Sequence, residues 1–169
     1  MIGIDQLRTA QRFSPAPPHT SLRYAKAARQ RTAFLCHSHK DEQLAQGLAH
    51  LLWQGGWQVY IDWQDTSMPA TPNRTTAERI QEKILETDFF LFLATGNSLA
   101  SRWCPWELGF ADGRKKLESI VIVPTRDGTT THGNEYMGLY RHIDHNDLGR
   151  LVIRPAGGGR YSELDIRML

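Results

Sequence analysis

The sequence predicts an α/β fold, a parallel sheet covered by helices on both faces, and two observations carry that prediction. Four short apolar runs, Thr32 to Cys36, Trp57 to Ile61, Asp88 to Leu93 and Ser119 to Val123, lack the alternation of a half-exposed strand, as expected of strands buried on both sides. Between them lie stretches whose apolar residues recur at helical spacing. In the first, Ser38-His39-Lys40-Asp41 places a hydroxyl and a carboxylate at capping-box spacing, Leu44, Leu48, Leu51 and Leu52 form the stripe, and Gly55-Gly56 ends the helix. A long loop from Asp62 to Arg74 precedes the second helix, opened by Thr75-Thr76-Ala77-Glu78 with Ala77, Ile80 and Ile84 as its stripe. Pro105 through Lys116 reads as a third helix with proline in its first turn. Beyond Pro124 the pattern thins to a short helix over Asn134 to Tyr140, a last strand at Leu151-Val152-Ile153 and a glycine loop from Gly157 to Gly159. The expected core is a central sheet of about five parallel strands.

At 169 residues the chain matches one ordinary domain, with residues 31–169 as its body and residues 1–30 as a basic, flexible N-terminal arm. Apolar residues make up 40% and charged residues 22%, a globular composition. The formal charge of +2 is uneven, because Arg8, Arg12, Arg23, Lys26, Arg29 and Arg31 face only Asp5 in the first 31 residues. Since this basic charge lies in a tail rather than on the folded body, a nucleic-acid partner is set aside. The longest apolar run, Phe89 to Ala94, is far below the roughly 20 residues that span a bilayer, and no secretory signal is apparent in residues 1–31. Cys36 and Cys104 are too few for a secreted disulfide framework. A cytoplasmic setting with two buried free thiols is therefore expected, a disulfide between them being the alternative.

Open parallel sheets place ligands outside the carboxyl ends of their strands. Three loops qualify: residues 36–41, 62–74 and 94–107. Their residues, Phe34-Leu35-Cys36-His37-Ser38-His39-Lys40-Asp41, Val59-Tyr60-Ile61-Asp62-Trp63 and Ser101-Arg102-Trp103-Cys104-Pro105-Trp106-Glu107-Leu108-Gly109, resemble in order and spacing the Toll/interleukin-1 receptor (TIR) domains, specifically the stand-alone bacterial ones. The resemblance covers residues 31–125 well. It implies a flavodoxin-like fold and, from the family's NAD-cleaving members, a catalytic glutamate four residues after a tryptophan, here Glu107 after Trp103. It also implies substrate-binding roles for His37 and Ser38 in the first loop and for Asp62 and Trp63 at the start of the second. The basic pair that some relatives carry in the first loop is missing, which leaves the phosphate contacts unassigned, with Arg74 and Arg102 as candidates.

The implied activity is cleavage of the nicotinamide–ribose bond of NAD, giving nicotinamide and ADP-ribose or a cyclic isomer, as an antiviral defence signal read by a separate effector protein. NAD is then the substrate and no cofactor is expected. The second loop, Asp62 to Arg74, is expected to mediate self-association. A non-enzymatic TIR interaction module using that loop is the rival reading, and a related base–sugar transferase a third. Glu107 also has a purely structural reading: counted from Pro105 it is the third helical residue, where an acid favours the helix dipole. His37 and His39 join no cluster at zinc spacing, so no metal is expected. Trp53, Trp57 and Trp106 are read as core.

Overall fold

The computed structural model describes residues 1–12, 21–66, 69, 71, 73–157 and 162–168. In chain order the elements are β1 (Ile2–Gly3), α1 (Ile4–Arg12), α2 (Leu22–Ala27), β2 (Arg31–Cys36), α3 (Glu42–Gln54), β3 (Trp57–Tyr60), α4 (Arg74–Glu86), β4 (Phe89–Ala94), α5 (Gly96–Leu99), α6 (Trp103–Arg114), β5 (Ile120–Asp127), β6 (Thr130–His132), β7 (Arg141–His145), β8 (Leu151–Arg154) and β9 (Leu164–Asp165). The sheet runs β3-β2-β4-β5-β7-β8-β9. The first five of these strands are parallel, whereas β8 and β9 close the edge antiparallel. Numbered along the chain, the parallel strands fall in the order 2-1-3-4-5 of flavodoxin-like folds, whose switch point lies between the first and third. Here that crevice is between β2 and β4.

The missing alternation in the strands has a direct structural cause. Ala33 and Leu35, Leu91 and Leu93, Val121 and Val123 pack into one cluster, while Phe34 and Cys36, Phe90 and Phe92, Ile120 and Ile122 pack into another on the opposite face. The first cluster is roofed by α1 and α3 through Leu7, Leu44, Leu48 and Leu52. The second is roofed by α4 and α6 through Ile80, Ile84, Leu108 and Ala111. Asn73 and Thr76 form the capping box that starts α4.

Several expectations change. The N-terminal segment, expected to be a flexible arm, is structured in its described residues. Ile2 and Gly3 pair with Thr125 and Arg126 of β5, and Ile2, Ile4, Leu7, Leu22 and Ala25 are buried. The basic side chains that suggest a solvated tail occupy the outer faces of α1 and α2. Two apolar residues three apart on a nine-residue helix are a weak sequence signal, which is why the sequence pattern does not reveal α1. Gly47 on α3 fits this docking, because a Cβ there would stand 2.0 Å from the carbonyl oxygen of Leu7. The expected helix over 134–140 is a single 3-10 turn, Asn134–Tyr136, and β7 follows it unforeseen. The third helix begins at Trp103, two residues early. Of the tryptophans read as core, Trp57 is buried, but Trp53 and Trp106 are each 37% exposed.

Since α1 covers one face of the sheet, Leu7→Ala is expected to destabilise the fold by about 2–5 kcal/mol, and removal of residues 1–12 by more. Urea unfolding followed by far-ultraviolet circular dichroism checks this. An unchanged midpoint for the truncated chain would mean that α1 is dispensable after all.

Candidate functional site

The β2–β4 switch point is held by a buried carboxylate. After Cys36 the chain makes a 3-10 turn, His39–Asp41, started by Ser38, whose hydroxyl accepts from the Lys40 amide. The turn delivers Asp41 across the crevice. There its carboxylate accepts from Thr95 Oγ1 at 2.5 Å and from Asn97 Nδ2 at 2.7 Å, tying the loop after β2 to the loop after β4. Sequence reasoning does not single out Asp41 and Thr95 for this contact. Their signal is an acid closing the first loop and a hydroxyl just past the third strand.

Glu107 lies at the same end of the sheet and is 5% exposed. It is the fifth residue of α6, so the reading of it as an N-terminal capping acid does not hold; Ser101 does that work, its hydroxyl accepting from the amides of Trp103 and Cys104. The Glu107 carboxyl is raised well above the ordinary carboxylate range by burial, which disfavours its charged form. A hydrogen bond from the Cys36 thiol opposes the rise, and the Cys104 thiol and Asp62 reinforce it. Glu107 therefore shares its surroundings with the end of β2, the start of α6 and the loop after β3.

His37 belongs to this group. Its Nδ1 donates to the Leu35 carbonyl oxygen at 3.0 Å, which leaves the Nε2 lone pair facing Asp62 Oδ1 at 4.0 Å, too long for a hydrogen bond. Burial lowers the His37 pKa, favouring the neutral ring, against the pull of Asp62. Trp103, one turn before Glu107, is half-buried against the second cluster and meets Trp106 edge-on at 5.5 Å.

The structure thus brings His37, Asp62, Trp103 and Glu107 together and adds Cys36 and Cys104, read from sequence only as buried thiols. It does not bring in the other two candidates. Ser38 is occupied as a turn cap, and Trp63 packs inward against the cluster beneath α3. Trp63 follows Asp62, whose carboxylate accepts its amide at 2.9 Å in a 3-10 turn that starts the second loop; the turn aims one side chain at the site and the next at the core. In the rest of that loop, residues 67, 68, 70 and 72, with Met68 and Pro72 among them, lie outside the described residues. Arg74 is engaged by Glu78 at 2.8 Å, and Arg102 is exposed at the start of α6. A depression of about 460 Å³ lies elsewhere, at the β3 edge under α2. Four of its polar wall residues pair with one another, Tyr60 donating to Asp65 and Lys83 to Glu86, each at 2.8 Å. Among the described residues no group of three or more His, Cys, Asp or Glu is arranged to hold a metal, and no helix is long and apolar enough to cross a membrane.

Comparison with known proteins bears on this geometry. A curated protein of Bacillus cereus named "Probable 3' cyclic ADP-D-ribose synthase ThsB'" is 31% identical over 113 residues, 65% of this chain and 58% of the relative. The chain accordingly spans little more than half the length of that relative. The family model described as TIR domain matches residues 33–152, which include the whole switch point and every residue of the site. With the greater part of its length matched, the chain belongs to the TIR domain family.

Proposed function

We propose that this protein cleaves the nicotinamide–ribose bond of NAD, with Glu107 as the catalytic residue. The observation that carries the reading is the electrostatic setting of Glu107. A buried carboxyl is costly unless hydrogen-bonded or paired with a cation. Asp62, a carboxylate of like charge, and the Cys104 sulfur, which would repel it as a thiolate, both disfavour the ionised form of Glu107 and so add to that cost. Such perturbed acids cluster at functional sites. The missing countercharge is one that NAD supplies, the pyridinium ring.

The chemistry suits a single carboxylate. Nicotinamide leaves as a neutral molecule from a cationic ring, so no general acid is required. What remains is to stabilise the oxocarbenium-like transition state, the second of the two carboxyl roles in glycoside cleavage. Glu107 does so from beside the ribose, with the Trp103 ring against nicotinamide to exclude water. His37, neutral and with Nε2 free to accept, and Asp62 are assigned to the substrate's hydroxyl groups. Lys40 places positive charge on the loop after β2, on the side assigned to the pyrophosphate. Attack by water yields ADP-ribose, whereas attack by a hydroxyl of the same molecule yields a cyclic isomer. The name of the Bacillus cereus relative favours a cyclic product, which we read as a defence signal for a separate effector. NAD is substrate throughout and no cofactor enters.

The decisive measurement is incubation of purified protein with NAD and resolution of products by mass spectrometry. Glu107→Gln is expected to lower kcat by about a hundredfold or more while remaining folded. Near wild-type turnover in the folded variant would remove Glu107 from catalysis and favour the interaction-module reading. The same substitution is expected to stabilise the protein at neutral pH. Because the folded-state pKa of Glu107 is raised, its contribution is fully present below the unfolded value and is lost as pH rises through the folded value, by about 1.4 kcal/mol for every tenfold difference in acidity between the two states. Urea titrations across this pH range should show a slope in the wild type that the variant lacks.

Turnover requires ionised Glu107, so the acid limb of kcat/KM, which reports the free enzyme, is expected above the ordinary carboxylate range. Bound pyridinium favours the ionised form, and the acid limb of kcat is therefore expected at lower pH than that of kcat/KM. Coincident limbs would argue against a charge contact between ring and carboxylate.

Self-association through the loop from Asp62 to Arg74 completes the proposal. Specific activity is expected to rise with protein concentration, with light scattering showing larger species when NAD is present. Constant specific activity from a strict monomer would exclude a shared site without touching the role of Glu107.

A further inference from the structure

Cys36 and Cys104 are the chain's two cysteines, both free and both buried. They are 68 positions apart in sequence, yet the first turn of α6 sets the Cys104 carbonyl oxygen 3.7 Å from Cys36 Sγ. The Cys36 thiol donates to that carbonyl, and both side chains lie in the cluster under α6. A single buried cysteine is adequately explained as a small apolar residue. Two in contact, beside a buried carboxyl that one of them also touches, form a chemically competent group.

We propose that Cys36 and Cys104 are an oxidative modification site, a dithiol that a peroxide converts to a disulfide joining the end of β2 to the first turn of α6, three residues before Glu107. With hydrogen peroxide the step balances in two stages. The Cys104 sulfur attacks one peroxide oxygen, the O–O bond breaks, and a sulfenic acid and one water result. The Cys36 sulfur then attacks the sulfenic sulfur, the S–O bond breaks, and the hydroxyl leaves as a second water carrying the remaining thiol proton. Two thiols have lost two electrons and two protons, and the peroxide has been reduced.

The division of labour follows from position. Cys104 is the second residue of α6, at the positive end of the helix dipole, which favours a thiolate. The hydrogen bond from Cys36 pulls its pKa down, burial opposes this, and Ser101 adds to the lowering. Cys36, within the sheet, is held up mainly by burial and suits the resolving role. Arg102 is exposed and Ser101 half-buried, so fraying of one helical turn opens a route for a molecule little larger than water. The disulfide removes the Cys36 thiol proton, which favours the ionised form of Glu107, and fixes the start of the helix that carries Glu107, so oxidation lowers turnover. That consequence rests on the proposed role of Glu107, whereas formation of the disulfide does not.

The full chain, reduced and then treated with hydrogen peroxide, is denatured, alkylated with N-ethylmaleimide and weighed by mass spectrometry. The expected product takes up no maleimide, is about 2 Da lighter than the reduced chain, yields a Cys36–Cys104 cross-linked peptide and reverts with dithiothreitol. Cys36→Ser should stop at a sulfenic acid on Cys104 that dimedone traps, and Cys104→Ser should form no disulfide. Two fully alkylated thiols after peroxide treatment, or cross-links only between molecules, would overturn the proposal. NAD cleavage measured on the same wild-type samples should fall several-fold on oxidation and recover on reduction. Unchanged turnover in the disulfide form would overturn the control of the site. If reduced protein cleaves no NAD at all, the Glu107 reading fails while the mass result decides the dithiol on its own.

Discussion

The structure depends on one constraint: a parallel sheet whose strands are apolar on both sides must be roofed on both sides. Phe90, Leu91, Phe92 and Leu93 in β4 are all fully buried, and no single layer of helices can bury both faces of such a strand. The roof over Leu91 and Leu93 consists of α1 and α3, and the roof over Phe90 and Phe92 consists of α4 and α6. This requirement explains why the N-terminal segment is part of the fold. It also positions the site, because α6 covers β2 and β4 with Cys104, Leu108 and Ala111 and so carries Glu107, on the same buried side, to the switch point.

Two buried acids sit at that switch point, and their surroundings distinguish their roles. Asp41 accepts from two donors at short distance, Thr95 and Asn97, so its desolvation is offset and its position is fixed. It behaves as a structural clamp. Glu107 has the weaker thiol of Cys36 as its donor and faces Asp62, a group of like charge. Nothing in that pairing stabilises the folded chain. A fold that keeps such a group gives up stability at the site, which is the usual relation between binding sites and the scaffolds that hold them.

Much of this is legible in the sequence, for reasons that particular residues make plain. The non-alternating runs ending at Cys36 and Leu93 identify the central strands because burial on both faces leaves no room for polar side chains. The helical spacing from Leu44 to Leu52 and the glycines after it locate α3, whereas the expected capping box does not form: Ser38 caps the preceding 3-10 turn and the Asp41 carboxylate is taken by Thr95 and Asn97. What is not legible depends on tertiary contact. Ile2 enters the sheet through a two-residue pairing with Thr125 and Arg126, too short to leave a periodic pattern. Strand β7, Arg141-His142-Ile143-Asp144-His145, carries polar residues at most positions and is held as a strand by β5 and β8 rather than by its own propensity. At the site, it is the family resemblance rather than the residue pattern that points to Trp103 and Glu107 and to His37 and Asp62. Side-chain direction is beyond the reach of spacing, so the outward aim of Asp62 and the inward aim of its neighbour Trp63 are told apart only in three dimensions.

The arrangement also links the loop after β3 to α6 by charge. Burial disfavours the ionised form of Glu107, and Asp62 adds to the effect. On the proposed reading, a cationic ring bound near both removes the repulsion and reverses the balance. Binding of the cation and ionisation of Glu107 then favour one another, because coupled equilibria are reciprocal. Asp62 is fixed to the start of its loop by the bond to the Trp63 amide, and Trp63 is anchored in the core. On the same reading, the loop is tethered at a residue that senses the substrate's charge, and the carboxylate becomes reactive when the cation it acts on has arrived.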